Sequence, residues 1–205
     1  YKTSTKKTAK TQTKKLNYTF TVAKASVALS GESVVAVGAT TPLTTTKKAS
    51  AKNGIVTYTS SDDSVATVSA DGTVKGVKAG KATITATLTN VHDSAIDTHV
   101  VEVKNHILNS VTQTKLRELT VDVAGDTKAL KPTDFTVVNP KTNVKYPVSQ
   151  VTVDSKNASQ VTLTMFADLS DDADYDVTLE GITKSFKATD GKVTSIAVEP
   201  MTIPY

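Results

Sequence analysis

Five carboxylates stand close together late in the chain. They are Asp168, Asp171, Asp172, Asp174 and Asp176, five acids within nine residues. Such a run repels itself unless a cation neutralises it, and carboxylate oxygens are the hard ligands that Ca²⁺ prefers, although the EF-hand spacing is missing. We therefore predict calcium binding by Asp171, Asp172 and Asp174. The alternative is an acidic turn between two strands, in which Asp and Ser side chains bind the backbone.

The three histidines, His92, His99 and His106, are spaced by seven residues. A spacing of seven alternates the two faces of a strand, so a single strand does not cluster them. A chain reversal could bring two of them to Asp93 and Asp97 as transition-metal ligands. The alternative is that each is an isolated surface histidine.

The residue types exclude several kinds of catalysis. The chain has no cysteine, no Gly-x-Ser-x-Gly elbow, no P-loop and no dinucleotide-binding fingerprint. Its serines fall in strand-like and turn-like sequence, where serine commonly has a structural role. We therefore expect no catalytic residue, no organic cofactor and no enzymatic activity. The chain also lacks tryptophan, which counts against a carbohydrate site.

The net charge of +4 comes from one end of the chain. Residues 1–15 hold six lysines and no acid, so the remainder carries −2 once those six charges are subtracted. A solvated Lys/Thr linker explains this segment, and contact with anionic cell-wall polymers is the alternative. No aromatic residue interleaves the lysines, which argues against nucleic acid as a partner. No apolar run approaches the ~20 residues that a membrane span needs.

Alternating hydrophobicity predicts strands along most of the chain. In the segment 82–89, Ala82, Ile84, Ala86 and Leu88 alternate with threonines, the pattern of a strand with one buried face. Threonine and valine are abundant, which also favours strands. Asp71-Gly72 lies between two such runs and predicts a two-residue type I′ hairpin. The sequence therefore predicts an all-β fold.

The segment from Val56 to Leu88 resembles the group 2 bacterial immunoglobulin-like domain. The matching residues are Tyr58, Ser60-Ser61, Val65-Ala66, Val68, Gly72-Thr73-Val74, Gly76-Val77, Ala79-Gly80, Ala82 and Ile84. Tyr58 replaces the family's usual tryptophan. The resemblance extends over roughly 18–104 and implies a β-sandwich.

Tandem immunoglobulin-like β-sandwich domains are the predicted architecture. We expect a Lys/Thr-rich linker at 1–17, the bacterial immunoglobulin-like domain at 18–104, a second sandwich at 105–190, and the start of a further unit at 191–205. Strand-like runs every ~8 to 15 residues fit a seven-stranded second sandwich. The chain begins without a methionine or a signal sequence, so we expect it to be part of a longer secreted protein.

The array resembles surface-layer (S-layer) proteins of Bacillus-type Gram-positive bacteria. That resemblance implies a structural role: self-assembly with neighbouring copies into a two-dimensional lattice on the cell wall, supported by calcium. Two alternatives share the fold: the stalk or binding module of a bacterial adhesin, and an accessory domain of a secreted wall or polysaccharide enzyme. Fold alone does not separate the three.

Overall fold

The chain forms strands almost throughout. The structure, a computed structural model, describes residue 15 and residues 24–48, 54–90 and 93–189. These residues hold fifteen strands and two short 3-10 helices, Thr127–Ala129 and Pro132–Asp134, with no α-helix among them. The first eight strands are β1 (Val27–Gly31), β2 (Val34–Ala36), β3 (Thr40–Lys47), β4 (Ile55–Ser60), β5 (Ala66–Val68), β6 (Thr73–Gly76), β7 (Gly80–Thr89) and β8 (Ser94–Lys104). The other seven are β9 (His106–Lys115), β10 (Glu118–Gly125), β11 (Phe135–Val138), β12 (Val148–Val153), β13 (Gln160–Met165), β14 (Asp174–Leu179) and β15 (Ile182–Lys187).

Strands β1 to β8 form two sheets that enclose one core. The sheet orders are β1-β3-β6-β5 and β2-β8-β7-β4. The alternation predicted for β7 is confirmed, because Ala82, Ile84, Ala86 and Leu88 are buried and the intervening threonines are not. The other buried members of this core include Val27, Leu29, Val35, Leu43, Val74, Val101 and Val103.

This pairing is that of an immunoglobulin-like sandwich. Seven of the strands follow the sheet order of that fold, first-second-fifth-fourth on one sheet and third-sixth-seventh on the other. The short strand β2 is the additional one. It leaves the first sheet and pairs in parallel with the last strand, β8. Because β1 and β2 lie in opposite sheets, the opening segment of the sandwich connects both layers.

Strands β9 to β15 repeat the same plan with seven strands. Their sheets run β12-β13-β10-β9 and β11-β14-β15, again the immunoglobulin-like order. A separate core lies between them. Its buried members include Leu108, Leu119, Val121, Phe135, Leu163, Met165, Tyr175, Val177 and Leu179. The predicted all-β class of immunoglobulin-like sandwiches is confirmed.

The predicted two-residue hairpin at Asp71-Gly72 is wrong. The N–H of Gly72 donates to the Ser69 carbonyl at 3.0 Å and the N–H of Ser69 donates to the Thr73 carbonyl at 2.9 Å, which makes a three-residue loop. Gly72 alone takes a positive φ, +86°. The Asp71 carboxylate accepts hydrogen bonds from the Ser69 hydroxyl and the Thr73 N–H, which keeps Asp71 in the ordinary region.

A two-residue hairpin with positive φ at both central residues occurs elsewhere. Glu180 and Gly181 have φ of 47° and 78°, and they join β14 to β15 where Leu179 pairs with Ile182. These are the dihedral signs of a type I′ turn. The turn places the Glu180 carboxylate beside the first strand of its own sandwich.

The predicted unit at 191–205 and most of the predicted linker at 1–17 lie outside the described residues. Lys15 is described and is exposed. The boundaries between the predicted domains stay predictions.

Candidate functional site

Cations pair with the acidic run. Asp172 contacts Lys187 at 2.6 Å, Asp174 contacts Lys141 at 2.7 Å, and Asp168 pairs with Arg117. Asp171 also has an interaction partner. The hydrogen bond from Lys141 lowers the pKa of Asp174, and the hydrogen bond to Asp172 raises the pKa of Lys187. The mutual repulsion of the carboxylates is therefore offset by protein cations.

Backbone hydrogen bonds also organise this run into a turn between β13 and β14. The N–H of Asp172, whose φ is +59°, donates to the Ala188 carbonyl at 3.0 Å. Leu169 inserts into the core and is 2% exposed. Among the residues that the structure describes, no three His, Asp or Glu side chains are arranged to hold a metal ion. Calcium binding by Asp171, Asp172 and Asp174 stays a prediction.

Tyr175 fixes the end of this turn, and sequence reasoning missed its role. Its ring is fully buried, and its hydroxyl accepts a hydrogen bond from the N–H of Ser170, five residues upstream, at 2.8 Å. A tyrosine near the start of the sixth strand that binds upstream backbone is the tyrosine corner of immunoglobulin-like folds. Tyr146 meets the ring edge-on at 5.0 Å and Phe186 stacks on it at 5.6 Å.

The described histidines do not share a site. The Nε2 of His99 lies 3.3 Å from the Ser33 hydroxyl and 3.2 Å from the Glu32 carbonyl oxygen. His106 lies at the start of the second sandwich and contacts Glu180 there. His92 lies outside the described residues.

Asp93 and Asp97 accept hydrogen bonds from backbone N–H groups of β1 and of the residues just before it. Asp93 accepts a hydrogen bond from the N–H of Ala25 at 3.0 Å, and Asp97 accepts one from the N–H of Leu29 at 2.7 Å. These bonds lower the pKa of both carboxyl groups. Asp97 of β8 and Asp93 just before it thus attach β1 and the residues that precede it. Two aspartates four residues apart near His92 and His99 did not distinguish this role from metal binding.

The two sandwiches meet at a one-residue linker. Strand β8 ends at Lys104 and β9 begins at His106. The Nζ of Lys104 donates to the Glu180 carbonyl at 2.9 Å and pairs with Glu102 at 3.2 Å. Gly125 lies beside this linker with a φ of +111°, and an added Cβ would stand 2.1 Å from the Asn105 carbonyl oxygen. The junction is therefore closely packed.

The outer face of β4, β7 and β8 carries no charge over most of its length. Its cross-strand rows are Thr59-Thr85-Thr98, Thr57-Thr87-Ile96, Ile55-Thr89-Ser94 and Thr83-Val100. Ile55 is 72% exposed and Ile96 is 65% exposed. We call these eleven residues the threonine face. A Lys81–Glu102 cross-strand pair borders it at one end.

Residues 23–99 match the family model of the group 2 bacterial Ig-like domain. The match falls on the first sandwich, where the resemblance was predicted, and the fold and the match together define an immunoglobulin-like β-sandwich protein. None of the described residues lies in a helix that is long and apolar enough to cross a membrane.

Among curated proteins, the chain is similar over a short stretch to an alpha-L-arabinofuranosidase of Bifidobacterium longum subsp. longum. The two are 78% identical over 32 residues, which is 16% of this chain and 3% of that protein's length. The chain thus corresponds to a very small part of that relative.

Solved structures to which the chain is similar include an intimin mutant of EHEC O157:H7 and domains 5-6 of the S-layer protein SbsC. The intimin structure is 17% identical with a TM-score of 0.29, over 44% of this chain and 49% of that one. The SbsC structure is 21% identical with a TM-score of 0.26, over 84% of this chain and 98% of that one. Sequence identities and TM-scores this low support no conclusion about assembly or partners.

Proposed function

We propose that this chain is a structural segment of a bacterial cell-surface protein that self-associates with neighbouring copies in a two-dimensional lattice on the cell wall. The threonine face is the observation that carries the proposal. Burying it against a second copy removes apolar Ile and Val side chains and threonine methyl groups from water without stranding a charge. The Lys81–Glu102 pair at its border holds opposite charges, which two copies can exchange across a twofold axis.

The size of the threonine face fits a weak, repeated contact. Three strands at about 4.8 Å spacing and the seven residues from Thr83 to Thr89 at about 3.4 Å each give roughly 340 Å² per copy. Two such faces bury about 700 Å², which is below the size of a stable specific protein interface. A contact of this size is transient between single copies and becomes effective when many copies repeat it in an array.

Two matched lysine variants test this contact. Ile96→Lys places a charge in the threonine face, and Thr162→Lys places the same charge on the outer face of the second sandwich. Negative-stain electron microscopy would follow the full-length parent protein after calcium is added to chelator-treated monomer. We expect ordered sheets from the wild type and from Thr162→Lys, and loss of sheets from Ile96→Lys.

Two results would contradict the proposal at different levels. Sheets from Ile96→Lys as regular as those of the wild type would remove the threonine face from the contact. Isolated monomers or rods from the wild type under every calcium condition would remove the lattice itself.

Calcium binding at Asp171, Asp172 and Asp174 is part of this proposal. A calcium ion there has to displace Lys187 and Lys141 from their carboxylates, so the lysines and the ion compete. We expect calcium to raise the melting temperature of the second sandwich, and the double variant Lys141→Ala/Lys187→Ala to show a larger rise. Differential scanning calorimetry in calcium and in chelator measures both. Identical melting in calcium and chelator for both proteins would exclude the site.

An accessory domain of a secreted polysaccharide enzyme is the second candidate function. The observation that favours it is the 78% identity over 32 residues with an alpha-L-arabinofuranosidase. In that case the two sandwiches act as a spacer or positioning module of a longer chain. The sequence of the full-length parent separates the candidates, since a catalytic domain there supports the accessory role and wall-anchoring repeats support the lattice.

A further inference from the structure

His106 is held between two hydrogen-bond acceptors. Its Nδ1 lies 2.9 Å from the Glu180 carboxylate oxygen Oε1, and its Nε2 lies 2.9 Å from the main-chain carbonyl of Asp126. A carbonyl oxygen and an ionised carboxylate accept hydrogen bonds but donate none. A neutral imidazole has a single N–H and satisfies one of these partners, whereas the imidazolium cation satisfies both.

We propose that His106 is a pH-dependent lock at the junction of the two sandwiches. In mild acid the protonated ring binds Glu180 and fixes the turn that contains it. The main-chain carbonyl of Glu180 accepts a hydrogen bond from Lys104 of the first sandwich. In mild base the ring loses one proton, one of its two contacts becomes repulsive, and the junction loosens. The lock acts on interdomain stiffness, whether or not copies of the chain assemble.

Glu180 links the protonation of His106 to the first sandwich, because three of its oxygen atoms accept hydrogen bonds at the same time. One carboxylate oxygen binds the ring of His106, and the other accepts the main-chain N–H of His106 at 3.3 Å. Its carbonyl accepts the hydrogen bond from Lys104 at 2.9 Å. Glu180 lies in the two-residue turn between β14 and β15, and Lys104 is the last residue of β8. Loss of the positive charge on the ring therefore weakens the hold on the turn that contacts the first sandwich.

The charged groups at the junction each have a defined partner. Glu180 is the carboxylate that faces the ring, while the carboxylate of Asp126 accepts the N–H of Lys128 at 3.2 Å. Lys104 lies between the Glu180 carbonyl and the carboxylate of Glu102. The His106 side chain is 15% exposed, which leaves a route for proton exchange. Histidine side chains change charge between about pH 5 and 8.

His99 supplies a matched control within the same chain. Its Nε2 makes contacts with a hydroxyl and a carbonyl, and a hydroxyl both donates and accepts. The neutral tautomer with a proton on Nε2 shares that one N–H between the two oxygens, so no contact of the ring requires a second proton. We expect the substitution His99→Gln to leave the junction unchanged.

Distance measurement between the sandwiches tests the lock. The chain has no cysteine, so Lys75→Cys on the first sandwich and Gln150→Cys on the second, both exposed positions, accept spin labels selectively. Pulsed electron paramagnetic resonance then gives the distribution of label separations at pH 5 and at pH 8. The labelled wild type is compared with His106→Gln, Glu180→Gln and His99→Gln, each checked for folding by circular dichroism.

We expect a narrower distribution at pH 5 than at pH 8 in the labelled wild type and in His99→Gln. The difference should vanish in His106→Gln and in Glu180→Gln, since a glutamine at 180 offers both a donor and an acceptor to a neutral ring. Equal widths at the two pH values in the wild type would overturn the proposal. So would a pH effect that survives in both His106→Gln and Glu180→Gln, or one that disappears in His99→Gln.

Discussion

At the scale of single residues, Ile84 and Ile96 lie in the same sheet and face opposite ways. Ile84 is fully buried in the first core, while Ile96 is 65% exposed on the threonine face. We expect Ile84→Ala to lower the free energy of unfolding of the first sandwich by about 2–5 kcal/mol, because it leaves a cavity. Ile96→Ala, the matched control, should change it by less than about 0.5 kcal/mol. Urea denaturation measures both.

Replacing Ile84 with aspartate gives a sharper form of the same test. An unpaired carboxylate in this core has no hydrogen-bond partner that compensates its loss of water, so we expect the first sandwich to unfold. A thermal melt of Ile84→Asp close to that of the wild type would show that the strand register is wrong.

Tyr175 is a second residue for which the contribution of one group, the hydroxyl, to the stability of the fold can be measured. Tyr175→Phe keeps the buried ring and leaves the N–H of Ser170 without its acceptor. We expect a loss of about 0.5–1.5 kcal/mol in the stability of the second sandwich, typical of one hydrogen bond. Calorimetry measures this as a lower melting temperature. Tyr58→Phe, which removes a hydroxyl that pairs with Thr45 in the first sandwich, should leave the second transition in place.

At the scale of elements, β1 depends on carboxylates as well as on its ladder with β3. Asp97 binds the N–H of Leu29, and this bond lowers the pKa of the carboxyl group. A carboxyl with a lowered pKa stabilises the fold above its unfolded pKa of about 3.9, and that stabilisation is lost as the pH falls through the folded-state value.

We therefore expect the first sandwich to lose stability as the pH falls below about 4. Asp97→Asn should be less stable than the wild type at pH 7 and should show a shallower loss in acid. Urea unfolding between pH 2 and pH 7 measures the slope, with Asp63→Asn, a change in an exposed turn residue, as the control. A slope that is the same in Asp97→Asn and in the wild type would contradict this role of Asp97.

The elements also show how far sequence reasoning reaches. The buried and exposed faces of β7 could be predicted from the alternation of apolar residues and threonines, because burial of one face of a strand imposes a period of two on the sequence. The type of turn at Asp71-Gly72 could not be predicted in the same way. The side chain of Asp71 accepts hydrogen bonds from Ser69 and Thr73, and these favour a three-residue loop. Lys141 and Lys187 pair with the acidic run. The sequence did not predict these pairs, because they depend on how distant parts of the chain fold together.

At the scale of the whole molecule, the two cores are separate clusters of side chains. The first draws on described residues between 25 and 103 and the second on residues between 108 and 188. We expect two unfolding transitions, with Ile84→Ala lowering one and Tyr175→Phe lowering the other. A single transition that shifts as a unit in both variants would show that the junction at Lys104 and Glu180 couples the sandwiches completely.

The parallel pairing of β2 with β8 also determines how the first sandwich responds to mechanical load. When the chain is pulled from both ends, parallel strands near the two ends slide past each other, so all the bonds between them carry the force together. Those bonds include Glu102 N–H to the Ser33 carbonyl at 2.8 Å and Val37 N–H to the Lys104 carbonyl at 2.9 Å. An antiparallel pair pulled apart from one end would break its bonds one by one. The first sandwich is therefore built to resist tension along the chain.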